Sequence, residues 1–132
     1  MSSRRQKVAA VTVAFAAMAA VQVVAPLQAS AHDTSAQLTN PGIRYGYGGV
    51  TNSHKRLYSC DTYRDGVGFR AEYRLKNGAS GHVDDANGSK SGCSDITPGT
   101  SSNPIKSFRV ILKGNYGGNP NGAWVYSGWY DA

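Results

Sequence analysis

Glutamate occurs once in this 132-residue chain, at Glu72, and cysteine only twice, at Cys60 and Cys93. Scarcity of these groups excludes several kinds of site at the outset. Two cysteines so far apart cannot make the CxxC pair of a redox centre, and no third or fourth exists to complete a zinc set. The GxSxG nucleophile elbow of many serine hydrolases is missing. Beyond residue 31 no segment sustains apolar residues at helical spacing, and none is long enough to span a bilayer. What remains is rich in glycine, with 16 residues, and in tyrosine, with 8.

The first 31 residues have their own character. Ser2 to Lys7 is polar and carries Arg4, Arg5 and Lys7, and Val8 to Val24 is apolar apart from Thr12 and Gln22. Ala29-Ser30-Ala31 then offers small residues at minus three and minus one, so residues 1–31 read as a helical signal peptide cut before His32. An uncleaved anchor is the rival, since a run of roughly 17 to 20 apolar residues can just span a bilayer. The alanine-rich run and the Ala-x-Ala site favour removal. Gln6 and Lys7 follow the arginine pair where the twin-arginine route wants an apolar residue, so general secretion is expected. The mature chain, secreted and extracellular, would have 101 residues, enough for one domain. Its 11 Lys and Arg against 8 Asp and Glu give +3 rather than the whole-chain +6, which argues against a specific nucleic-acid partner.

In an oxidising compartment an even pair of cysteines reads as one disulfide, Cys60 to Cys93, with two free thiols as the alternative. Turn formers recur every eight to twelve residues: Asn40-Pro41-Gly42, Asp65-Gly66, Asn77-Gly78, Asn87-Gly88, Pro98-Gly99 and the stretch from Gly114 to Gly122. That punctuation marks short antiparallel strands. The clearest is Val67 to Leu75, where Val67, Phe69, Ala71, Tyr73 and Leu75 share one face and Arg70, Glu72 and Arg74 the other. Arg56 to Tyr63 also alternates, and Arg64-Asp65-Gly66 reads as the turn that would pair the two as a hairpin. Lys106 to Lys113 keeps Arg109 outside, and Ala123 to Tyr130 reads as a further strand. Weaker strands fall at Ile43 to Tyr47 and at Gly81 to Asp84. The expected fold is all-β, a small antiparallel sandwich or barrel of about five to seven short strands. Residues 32–42 read as a flexible arm and 43–132 as the disulfide-stapled domain.

Four candidate sites stand out. Tyr45, Tyr47, Tyr116, Trp129 and Tyr130 lie in or beside glycine-rich turns, where flat rings next to Asn amides suit stacking on sugars. Trp124 and Tyr126 alternate in a strand and read as core. A second candidate is Glu72 with Arg70, Arg74 and His82, the base, acid and phosphate clamp of a small ribonuclease; alternating charge on a wet strand face has the same look. Third, Asp84, Asp85, Asn87 and Asp95 cluster oxygen ligands near an Asn-Gly bend, as calcium requires, although EF-hand spacing is not met and turns favour the same residues. Fourth, a mature amino-terminal His32 with His54 or His82 would offer copper a brace. No bound cofactor is otherwise implied.

The strand Gly68-Phe69-Arg70-Ala71-Glu72-Tyr73, Cys60-Asp61, the turn from Val83 to Gly88, Gly92-Cys93 and Ser127-Gly128-Trp129 together resemble the small secreted single-disulfide proteins of filamentous Gram-positive bacteria. That resemblance implies export and carries no catalytic residues. Arg44-Tyr45-Gly46-Tyr47-Gly48 and the aromatic carboxy terminus are similar to lactococcin-type bacteriocins, from which the central disulfide departs. The expectation for function is a secreted, non-catalytic binder of extracellular carbohydrate or a cell-envelope component, acting through the 114–122 loop and the aromatic end. A bacteriocin-like antibacterial protein and a ribonuclease-like enzyme are the alternatives.

Overall fold

The computed structural model describes residues 33–132. The expected signal peptide, residues 1–31, and His32 lie outside the described residues. Nine strands follow in order: β1 (Thr34–Asn40), β2 (Ile43–Thr51), β3 (Arg56–Asp61), β4 (Phe69–Leu75), β5 (Ser80–Asp84), β6 (Ser94–Ile96), β7 (Ile105–Leu112), β8 (Val125–Tyr126) and β9 (Tyr130–Asp131). They form two antiparallel sheets, β1-β2-β3-β6 and β5-β4-β7-β8, with β9 also paired to β7. The described chain is therefore all-β, a two-sheet sandwich rather than a closed barrel. It has more strands than the turn spacing predicts because three of them are only two or three residues long.

The core follows from period-two alternation. Phe69, Ala71 and Leu75 of β4 point inward, as do Phe108, Val110 and Leu112 of β7, against Ala36, Leu38, Val50 and Leu57 from the other sheet. Each large side chain buried in this way contributes roughly 1.5 to 3 kcal/mol. Gly46 and Gly48 occupy inward positions on β2, where a Cβ would stand 2.5 Å from Phe69 Cγ and 3.0 Å from Val110 Cγ1. Their missing side chains let the facing sheet pack close to the β2 backbone. Buried Ser59 donates from Oγ across the core to the Phe69 carbonyl at 3.2 Å, which satisfies the hydroxyl; that carbonyl also accepts the Asp85 N–H at 3.0 Å.

The structure departs from the sequence reading at three places. Residues 34–40, expected in a flexible arm, form edge strand β1 along β2, because pairing with that longer strand places Ala36 and Leu38 over the core. β3 and β4 do not form a hairpin. A tight turn gives β3 to β2 on one flank and β6 occupies the other, so β4 begins the opposite sheet. Ala123 to Tyr130 is not one strand either; β8 and β9 are separated by an irregular step. The Cys60–Cys93 disulfide is formed and ties the end of β3 to the segment just before β6.

Candidate functional site

The register of the five-stranded sheet arranges its outer face in rows. Arg70 lies between Asp84 of β5 and Ile111 of β7, with Tyr126 beyond Ile111. Glu72 lies between His82 and Arg109, and Arg74 between Ser80 and Ser107. Outward positions on β4 thus meet oppositely charged or polar groups on both sides, except that Arg70 has the apolar Ile111 on its β7 side. Arg70 grips Asp84 with two hydrogen bonds, from Nε at 2.7 Å and from a terminal nitrogen at 3.1 Å, while Lys113 reaches the same carboxylate at 3.3 Å. The Arg70 guanidinium, and then Lys113, hold the Asp84 carboxyl below its ordinary pKa. Arg109 Nε donates to Glu72 Oε2 at 2.7 Å.

The aromatic end of the chain lies over these arginines. Arg70 sits 5.4 Å from the Trp124 ring centre, Arg109 sits 4.7 Å from both Tyr126 and Trp129, and Arg74 sits 3.8 Å from Trp129. Rings and guanidiniums alternate along the face: Trp124, Arg70, Tyr126, Arg109, Trp129, Arg74. Trp124 and Tyr126 are exposed, at 39% and 49%, which corrects their assignment to the core. Their alternation is real, but it points them outward, where Tyr126 lies across from Ile111; that residue is fully buried yet stands apart from the core cluster.

A one-residue bulge sets this arrangement. Ile111 faces Tyr126 while Phe108 faces Tyr130, so three residues, Ser127 to Trp129, oppose two, Arg109 and Val110. In a regular strand Tyr126 and Trp129 would point to opposite faces. Ser127 makes the bulge by substituting its hydroxyl for its carbonyl: its N–H donates to the Val110 carbonyl at 2.9 Å, and its Oγ accepts the Val110 N–H at 2.9 Å. Trp129 then turns outward and Tyr130 stacks on Phe108, ring centres 5.7 Å apart. Ser127→Ala leaves the Val110 N–H without that acceptor, so chemical denaturation should show a loss of about 1 to 2 kcal/mol. An unchanged midpoint would mean that the bulge does not depend on the hydroxyl.

Of the five aromatic residues expected to bind ligand, only Trp129 stands on this face. Tyr45 is buried, donates its hydroxyl to the Tyr116 carbonyl at 2.8 Å and packs against the Tyr116 ring at 4.9 Å. Tyr116 is thus a packing residue, and the side-chain oxygens of Asn115 and Asn119 are taken up by N–H groups of their own loop. Tyr47 and Tyr130 line a shallow groove of about 510 Å³ with Arg44 and Gln37, away from the outer face of the five-stranded sheet. The charged set of Glu72, Arg70, Arg74 and His82 fares differently. Glu72, Arg74 and His82 share a hollow of about 280 Å³ with Ser80, Arg109 and Trp129, and Arg70 is one row away. Arg109, Trp124 and Tyr126 are the residues that sequence reasoning missed.

The oxygen ligands considered for calcium are dispersed. Asp84 serves Arg70 and Lys113, Asp95 pairs with Arg56 at 2.7 Å, and Asn87 donates its side-chain amide to the Ser91 carbonyl. Asp85 accepts the Asp61 N–H at 2.7 Å and the Asn87 N–H at 3.2 Å, pinning the 85–93 loop to the end of β3. No cluster of three or more metal-ligating side chains occurs among the described residues.

A cleft of about 710 Å³ opens beside that pin, between the 63–68 and 87–90 loops, with Asp61 in its wall. Burial pushes the Asp61 carboxyl up to about 6, Asp65 and Asp85 add to the rise, and the Tyr63 N–H opposes it. Because the folded state raises this pKa, the associated stability is fully present below pH 3.8 and is lost as pH rises through about 6. Asp84 acts in the other direction, its contribution fading as pH falls below the ordinary carboxylate range. Lowering pH from 7 to 5 should therefore stabilise the protein by about 1 kcal/mol in urea titrations, and Asp61→Asn should flatten that slope. A wild-type slope of the opposite sign would refute the assignment.

No family model matches this chain, and neither a curated protein nor a solved structure does.

Proposed function

We propose that this is a secreted binding protein whose outer sheet face, carrying Trp124, Tyr126 and Trp129, takes extracellular carbohydrate or a cell-envelope glycan. The observation that carries the reading is the single row of partly exposed rings alternating with Arg70, Arg109 and Arg74. Ring faces suit the C–H faces of sugars, and neighbouring guanidiniums and carboxylates supply donors and acceptors for hydroxyls. The disulfide and the Ala29-Ser30-Ala31 site support an extracellular setting. Trp124→Ala and Trp129→Ala should each weaken binding to a responding member of a glycan and cell-wall panel by at least about tenfold, as loss of a stacked ring implies. Binding that survives both changes would end the proposal.

A second reading is supported by a specific juxtaposition. Glu72 has His82 directly across on one side and Arg109 on the other, in a hollow that Arg74 also walls. A base, an acid and two cations at that spacing have the parts needed to cleave a phosphodiester through a neighbouring hydroxyl. On that reading Glu72→Gln and His82→Ala each abolish RNA cleavage, and no cleavage by the intact protein removes it.

A further inference from the structure

The row of rings ends at the hollow beside Trp129, and the charges there differ from those along the rest of the face. Resting on the glycan reading, we infer that this hollow receives an oxyanion substituent, a carboxylate or a phosphodiester, on a sugar chain lying along Trp124, Tyr126 and Trp129.

The three arginines of the face are not equivalent. Arg70 is held by Asp84 and Arg109 by Glu72, whereas Arg74, among the described residues, pairs with no carboxylate. Its register neighbours are the neutral Ser80 and Ser107, and Asp131, the carboxylate in its row, lies beyond Ser107. Arg74 is exposed, yet it is held against the Trp129 ring at 3.8 Å. A guanidinium fixed by stacking and lacking a counter-ion is prepared to donate two parallel hydrogen bonds to an oxyanion. The hydroxyl of Ser80 and the exposed imidazole of His82 stand in the same hollow as additional donors. Glu72 does not repel such a group strongly because Arg109 neutralises it, and its remaining lone pairs can accept sugar hydroxyls.

Charge also favours a glycan over RNA. Arg70, Arg74, Arg109 and Lys113 against Glu72, Asp84 and Asp131 leave the face at +1, enough for an isolated acidic substituent. Tight binding of a continuous polyanion draws on many phosphate contacts.

The test measures affinity by calorimetry at low ionic strength for a neutral glucan oligomer, an oligogalacturonate of the same length, a sugar-bearing poly(glycerol phosphate) and a single-stranded RNA. At least one acidic glycan should bind about tenfold tighter than the neutral one, the scale of one charge-assisted contact, and the better of the two identifies the anion. Arg74→Gln should lower the acidic affinity at least about tenfold more than the neutral one, so that the preference disappears. Neutral and acidic glycans binding equally, or falling together in Arg74→Gln, would overturn the inference and leave the glycan reading intact. No glycan binding at all would defeat both. RNA binding tighter than either acidic glycan would overturn the inference in favour of a nucleic-acid ligand.

Discussion

Replacing Gly46 with valine should cost about 3 kcal/mol or more, the upper end of what overpacking a core does. Gly46 faces inward on β2, directly beneath the fully buried Phe69 ring, and even a methyl would stand 2.5 Å from Cγ and 2.6 Å from Cε2. Phe69 has little room to yield, because Ala71 and Leu112 on its own sheet are also buried. Either the ring leaves its rotamer or the sheets move apart, and separation would loosen contacts along the whole interface. Two controls make the prediction specific. Gly128→Ala, with no atom within 4 Å of its Cβ, should change stability by less than about 0.5 kcal/mol. Combining Gly46→Ala with Phe69→Leu should lose at least about 1 kcal/mol less than the sum of the single changes, since the two residues compete for one volume. Additive losses in a urea double-mutant cycle would show that the Phe69 contact is not the cause.

Removing the disulfide should have a comparable effect. Cys60 and Cys93 close a loop of 33 residues, for which denatured-state entropy gives about 3.5 to 4 kcal/mol. A local consequence should accompany the global one. β6 is three residues long and is held to β3 by Leu57 to Ser59 in the ladder, and the Arg56–Asp95 ion pair beside it is too exposed to contribute much. In the Cys60→Ser/Cys93→Ser double variant, hydrogen exchange should therefore accelerate first over Ser94 to Ile96. A variant with native stability and native protection at β6 would show that packing alone holds that edge.

How much of this was legible in the sequence depended on whether a residue's role is set locally. The alternation from Phe69 to Leu75 needed no partner to be read, and the Cys60–Cys93 bond followed from there being only two cysteines. Glu72, Arg74 and His82 were singled out together, and the register brings them to one hollow. Arg109 was visible as an outward residue, but its role depends on which strand lies beside β4, and pairing across many intervening residues leaves no local mark. β1 has only Ala36 and Leu38 as inward apolar side chains, so its own pattern is too thin to announce a strand; β2 recruits it. Trp129 faces outward only because Ser127 spends its hydroxyl on Val110, a choice that strict alternation gets wrong by one residue. The asparagines of the 114–122 loop looked like ligand amides because local backbone capping and ligand recognition use the same residue type.

The Ser127 bulge also bears on self-association. A sheet edge invites another chain when it presents a long unbroken row of backbone donors and acceptors. On the β7 flank that row is cut into two pieces of two residues, β8 and β9, and β6 ends the other sheet after three. The opposite edge of that second sheet, β1, is longer, but it is itself irregular between Leu38 and Thr39 and is followed at once by Pro41. In the sheet that displays three aromatic rings, the one regular edge where a second copy could extend the ladder is β5, five residues long. The interruption that turns Trp129 outward thus removes a continuous template for fibre growth from the β7 side of that sticky face and leaves it to β5 alone.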